Sequence, residues 1–189
     1  YKQGRANGLT VIFYKNQEEV VSIKGMKEGK KDGVFISYSK ERTFKVTGFY
    51  KNDKKNGLWC YYQGSNLLKS SVNYSNGIED GEAREYYPNG MLQAAFKYKN
   101  GKKNGEWTAF HPGGLVPAVV SNYKDGKLYG PMKTLSRRGV LLQEAEYKNG
   151  LRHGKYVVFD RRGRVLKELR YSDGMRVIEG KGSGSFTPR

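Results

Sequence analysis

Residues 98–114 read YKNGKKNGEWTAFHPGG, and this stretch decides the architecture. It opens on Tyr98, places glycines at 101 and 105, runs through Glu106-Trp107-Thr108-Ala109-Phe110, and closes on a second turn at Gly113-Gly114. The same phrase returns as YSNGIEDGEAREYYPNG at residues 74–90 and as YKNGLRHGKYVVFDRRG at residues 147–163. Working outward, the first glycine recurs at Gly4, Gly29, Gly77, Gly101, Gly126, Gly150 and Gly174, with Asp53 in the remaining step. The second recurs at Gly8, Gly33, Gly57, Gly81, Gly105, Gly130 and Gly154. The aromatic recurs at Tyr1, Tyr50, Tyr74, Tyr98, Tyr123, Tyr147 and Tyr171, with Met26 in the second slot. Every interval is 24 or 25 residues. Three columns held in one phase define an internal repeat.

Within a unit the pattern is that of strands. Leu92, Ala94, Phe96 and Tyr98 alternate with Gln93, Ala95 and Lys97, and such a period of two marks a half-buried strand rather than a helix. The fifth residue after the second glycine is large and apolar in every copy: Phe13, Tyr38, Tyr62, Tyr86, Phe110, Leu135 and Phe159. Each unit therefore reads as two short strands joined by Gly/Asn turns, a β-hairpin. Since a lone hairpin is marginal in water, stability must come from stacking neighbours. The predicted fold is all-β: an elongated single-layer antiparallel meander of about seven hairpins over residues 1–179, followed by a flexible, glycine-rich tail at residues 180–189. The first two copies diverge at their second turns, as end units of an array do.

Composition bounds the function. The 189 residues carry 35 Lys and Arg against 18 Asp and Glu, a net charge of +17. Fifteen Tyr, eight Phe and two Trp supply apolar area that a disordered polycation lacks. No run of about 18 apolar residues exists, which excludes a transmembrane helix. The single Cys60 excludes a disulfide framework and a Cys-based zinc site. The chain opens on Tyr1 with no leader-like segment, so a cytoplasmic and an exported location both stay open.

No catalytic set, metal site or cofactor motif emerges. His111 shares its slot with Tyr14, Ser39, Gln63, Tyr87, Ser136 and Asp160, and His153 shares its own with Asn7, Asp32, Asn56, Asp80, Asn104 and Tyr129. Residues exchanged so freely read as surface turn positions, and Cys60 lies mid-strand in an equally mixed column. The Gly-x-x-x-Gly spacing lies between strands and opens no helix, so it is no phosphate loop. The aromatic columns fit either core packing between hairpins or a stacking platform for sugars or bases.

Charge carries more information. Lys30, Lys31, Lys54, Lys55, Lys102, Lys103, Lys127 and Arg152 lie between the paired glycines of their units, and Arg137, Arg138, Arg161 and Arg162 lie in second turns. Stacked hairpins place these positions along two opposite edges at steps of about 10 Å, two strand spacings. That step is near the Debye length at physiological salt, so adjacent rungs reinforce one another. The ladders either draw an acidic partner or keep strand ends soluble.

The three quoted stretches resemble MORN repeats, specifically the bacterial variant Tyr-x-x-Gly-x-x-x-Gly-x-aromatic-x-x-aromatic-x-x-x-Gly. The resemblance covers essentially residues 1–179. It implies a non-enzymatic scaffold for protein–protein interaction. Proteins of this variant are often grouped as YwqK-family antitoxins, which implies a toxin or other acidic protein as partner. Some MORN arrays are also thought to contact anionic phospholipid, and the lysine ladder beside the aromatic columns makes a peripheral binder of anionic lipid or surface polysaccharide the alternative. Nucleic acid ranks below both, since no nucleic-acid motif accompanies the charge. Pairing of the open end strands between chains is a further expectation.

Overall fold

The computed structural model describes residues 4–15, 19–64 and 66–178, so the expected tail at 180–189 lies outside the described residues, as does Tyr1. Strands follow one another as β1 (Gly8–Phe13), β2 (Val20–Lys27), β3 (Lys30–Tyr38), β4 (Phe44–Lys51), β5 (Lys54–Gln63), β6 (Leu67–Ser75), β7 (Ile78–Tyr86) and β8 (Leu92–Lys99). Then come β9 (Lys102–Phe110), β10 (Pro117–Lys124), β11 (Lys127–Leu128), β12 (Gly130–Leu135), β13 (Leu141–Lys148), β14 (Leu151–Phe159), β15 (Val165–Ser172) and β16 (Met175–Val177). All join one open antiparallel sheet in sequence order, a meander without crossovers. Both β11 and β12 pair with β10, so they are a single strand interrupted at Tyr129. The sequence reading ends the last unit at Gly174; the sheet adds one more short strand, β16, which pairs with β15. No helix among the described residues is long and apolar enough to cross a membrane.

The repeated dipeptide explains the hairpins. Lys99 pairs with Lys102, which leaves Asn100-Gly101 as a two-residue loop with φ of 50° and 75°. Positive φ at both positions defines a type I′ turn, whose twist matches that of the flanking strands. Asn tolerates the first position and glycine the second without a Cβ penalty. Glu28-Gly29, Asn76-Gly77, Asp125-Gly126, Asn149-Gly150 and Asp173-Gly174 repeat the geometry. Asn52-Asp53 does so without a glycine: Asp53 holds φ 65°, and its Oδ1 accepts the Lys31 N–H at 2.8 Å.

Turns are also fastened to one another. The Gly101 N–H donates to the Glu79 carbonyl, Gly77 to Lys55, Gly126 to Lys103 and Gly174 to Arg152, each at 2.8 Å. Every hairpin tip is thereby tied to the tip before it, the nearest-neighbour coupling on which a repeat array depends.

The core occupies one face of the sheet. Its buried hydrophobic residues are Trp59, Ala83, Ala94, Phe96 and Ala145. A row across the strands mixes large and small: Val72 faces Ala83, Ala83 faces Phe96, Phe96 faces Trp107, and Trp107 faces Ser121. Large rings lie over the small neighbours. The clearest case is Gly48, where a Cβ would come within 2.3 Å of the Trp59 ring. Trp59 stacks on Phe35 with centroids 5.6 Å apart and donates its indole N–H to the Phe49 carbonyl at 3.0 Å. Burying such a ring removes on the order of 200 Å² from water, about 5 kcal/mol at ~25 cal/mol per Å².

Candidate functional site

The tight turns put the basic residues of the paired-glycine segments on strands rather than in loops. Lys30, Lys54, Lys102 and Lys127 are the first residues of β3, β5, β9 and β11. Lys31, Lys55, Lys103 and Arg152 are the second residues of β3, β5, β9 and β14. Successive strand residues point to opposite faces, so what reads in sequence as one ladder divides into two.

The second residues turn inward onto the aromatic face. Lys31 lies 4.9 Å from the Tyr50 ring centre. Lys55 lies 4.5 Å from that of Trp59 and 4.8 Å from that of Tyr74, and donates to the Tyr61 hydroxyl at 2.7 Å. Lys103 lies 4.6 Å from the Phe96 ring, and Arg152 lies 4.9 Å from that of Tyr156 and 5.5 Å from that of Tyr171. Ammonium and guanidinium groups are drawn to ring faces, and the contact is worth about 0.5–2 kcal/mol as water is excluded. Hydrogen bonding with Tyr147 and Tyr171 holds the Arg152 guanidinium above even its ordinary range. The tyrosine column packs against these cations and the neighbouring rings while staying half-buried. Burial pushes the Tyr74 phenol well up, helped by its bonds to Tyr61 and Glu79, and pushes Tyr98 up as well.

The first residues face outward. Each stands directly across from a second lysine: Lys27 from Lys30, Lys51 from Lys54, Lys99 from Lys102, and Lys124 from Lys127. All eight side chains are exposed, and none takes part in an ion pair among the described residues. The members Lys27, Lys51, Lys99 and Lys124 escaped the sequence reading. The signal for them is a lysine on each side of the two-residue turn, as Lys-Asx-Gly-Lys at 99–102 and 124–127, Lys-Glu-Gly-Lys at 27–30 and Lys-Asn-Asp-Lys at 51–54, since a type I′ turn places its first and fourth residues opposite each other. The row is interrupted at β6–β7, where Ser75 faces Ile78.

On the opposite edge Arg137 and Arg138 occupy the β12–β13 turn, and Arg161 and Arg162 the β14–β15 turn; all four are exposed. Asp160 anchors the second of these turns, accepting the Arg162 and Arg164 N–H groups at 2.8 and 2.9 Å. Those bonds, together with the Arg164 guanidinium, hold its carboxyl below the usual carboxylate range.

The remaining polar singletons are structural. His111 Nε2 meets the Leu135 carbonyl at 3.0 Å, as Gln63 Nε2 meets the Tyr87 carbonyl at 3.2 Å one unit-pair earlier. Both link a second turn to the next one along that edge. His153 Nδ1 accepts the Asp173 N–H at 3.4 Å, as Asp32 accepts that of Asn52 at 3.2 Å. Cys60 lies between Thr47 and Ser71 on neighbouring strands. Among the described residues no three His, Cys, Asp or Glu side chains cluster as metal ligands.

An open sheet of in-register hairpins, each touching only its neighbours, is a repeat protein of solenoid type. The family model described as "MORN repeat variant" matches residues 79–100, and the glycine and aromatic columns place the other units in the same register. Residues 79–100 thus carry a MORN repeat, and the 24-residue array around them is similar to that family. MORN repeats generally occur in binding or scaffold proteins and are typically non-enzymatic. No curated protein matches the chain. Among solved structures, alternansucrase in complex with isomaltononaose is similar at 16% identity over 89% of this chain and 14% of that one. The TM-score of that pair is 0.23, too low to carry any argument.

Proposed function

We propose that this chain is a non-enzymatic scaffold that holds an acidic protein along the outward lysine row. The observation carrying this reading is the set of four cross-strand lysine pairs at the hairpin tips, none with a counter-ion among the described residues. Like charges directly opposite on a sheet are destabilising. One lysine per tip would serve solubility; two facing lysines add repulsion that an acidic surface relieves. The opposite-edge arginines Arg137, Arg138, Arg161 and Arg162 add a second basic contact on the C-terminal units. A toxin is the acidic partner implied by the antitoxin grouping of the bacterial variant.

The test is affinity capture from the native host with the intact chain and with K30Q/K54Q/K102Q/K127Q. The reading expects an acidic protein recovered by the intact chain, released by raised salt and lost from the variant. Equal recovery by both chains would overturn it. Capture on anionic liposomes in place of any protein would favour a peripheral lipid binder instead.

A further inference from the structure

The lysine pairs repeat, but the surface around them does not. At the sixth unit the strand that follows the turn is broken. The segment β11 ends at Leu128, and Tyr129 occupies a slot held elsewhere by Asn, Asp or His. Pro131, which has no N–H to give a ladder, follows Gly130. The Tyr129 N–H bonds the Asn122 carbonyl at 2.9 Å, and β12 pairs with β10 through Lys133 and Thr134.

Beside this break lies an open cleft of about 830 Å³, whose lining includes Lys99, Lys102, Lys124, Asn104, Asn122 and Tyr129. At the Asn104 position the side chains of Asn7, Asp32, Asp80 and His153 are committed, though that of Asn56 is not, and at the Asn122 position Asn73 is committed. Asp80 and His153 accept a turn N–H from the next unit, and Asn73 donates to the Glu82 carbonyl. Asn104 and Asn122 make no such bond among the described residues. Lys124 lies 5.4 Å from the centre of the Tyr129 ring, whose outer side is open to solvent. The cleft thus gathers the ammonium groups of Lys99, Lys102 and Lys124, the carboxamides of Asn100, Asn104 and Asn122 and the tyrosines Tyr123 and Tyr129, against the lone carboxylate of Asp125.

The geometry points to this cleft as the anchor for a peptide segment carrying adjacent Asp or Glu side chains. The three lysines take the carboxylates, and the carboxamides of Asn104 and Asn122 meet the segment's backbone. A carboxamide both donates and accepts, which matches a peptide unit; sulfate or a phosphomonoester dianion only accepts. This rests on the acidic-partner reading above and assigns to one place what the lysine pairs alone spread over four tips.

The experiment is a fluorescence-anisotropy titration of labelled hexaglutamate against the full chain. It compares K99Q/K102Q/K124Q with K27Q/K30Q/K51Q, which removes the same charge from the same face elsewhere, and with the charge-neutral N104A/N122A. The anchor expects the cleft triple to weaken binding by about tenfold, the control triple by less than about twofold, and the double variant by several-fold, with unfolding midpoints unchanged. Equal weakening by the two triples, or displacement of hexaglutamate by equimolar inorganic phosphate, overturns the anchor. In those outcomes binding to the edge persists and the acidic-partner reading stands. Failure of the intact chain to bind hexaglutamate at low salt overturns both.

Discussion

Lys102 and Lys103 are neighbours in the chain and belong to opposite faces of the sheet. Lys103 lies over the Phe96 ring at 4.6 Å, whereas Lys102 projects outward across from Lys99. One residue of offset separates a cation that holds the sheet together from one that is free to meet a partner.

The two sets should respond differently to loss of charge. Lys55→Gln gives up contacts with Trp59 and Tyr74 and the bond to Tyr61, and is expected to cost about 1–2 kcal/mol. Lys54→Gln, which relieves repulsion from Lys51, should change stability by less than about 0.5 kcal/mol, or raise it slightly. Urea unfolding of both variants beside the intact chain checks the contrast; equal effects would contradict the division into two ladders.

Gly48→Ala tests the packing of large rings over small neighbours. The added Cβ would meet three Trp59 ring carbons at 2.3–2.8 Å, and overpacking of this kind costs about 1–3 kcal/mol. Tryptophan fluorescence should report a displaced indole as well as a lower unfolding midpoint. An unshifted spectrum with unchanged stability would show that Trp59 does not cover that strand.

His111 should prove replaceable by the side chain that does its work elsewhere in the repeat. Gln63 makes the equivalent bond to the next unit's carbonyl. His111→Gln is therefore expected within about 0.5 kcal/mol of the intact chain, and His111→Ala to lose about 1 kcal/mol. A loss of partner binding in the folded Gln variant would reveal a role beyond structure.

Stability should be level through neutral pH and fall in base. Folding raises the Tyr74 phenol above its ordinary value of 10.0, so above that value the folded chain keeps a proton that the unfolded chain releases. The contribution is intact below pH 10.0 and is lost as pH climbs toward the folded value. Tyr98 acts in the same direction through burial. Unfolding midpoints measured from pH 8 to 11 should drop at the alkaline end, and Tyr74→Phe should flatten that drop.

Much of the fold was legible because its signals are local. Glycine at fixed intervals and apolar alternation such as Leu92-Ala94-Phe96-Tyr98 depend on near neighbours, and they specify hairpins, their number to within one strand, and a meander. The division of the basic residues was harder to see. It depends on whether the turn spans two residues or the whole interval between paired glycines, and the side of the sheet for Lys102 and Lys103 follows only once Asn100-Gly101 is known to be the loop. The break at Tyr129 was out of reach for a different reason. Its tyrosine and Pro131 look like ordinary variation within a column, and the cleft arises from residues on four strands, β8, β9, β10 and β12, brought together.

The most direct measurement is the acetylation rate of each lysine, read by mass spectrometry, with and without the captured partner. In the free chain, Lys31, Lys55 and Lys103 should react slowly under their aromatic rings and Lys30, Lys54, Lys102 and Lys127 quickly. On binding, the account predicts protection of the outward row, strongest at Lys99, Lys102 and Lys124. Outward lysines that stay fully reactive in the complex would contradict it.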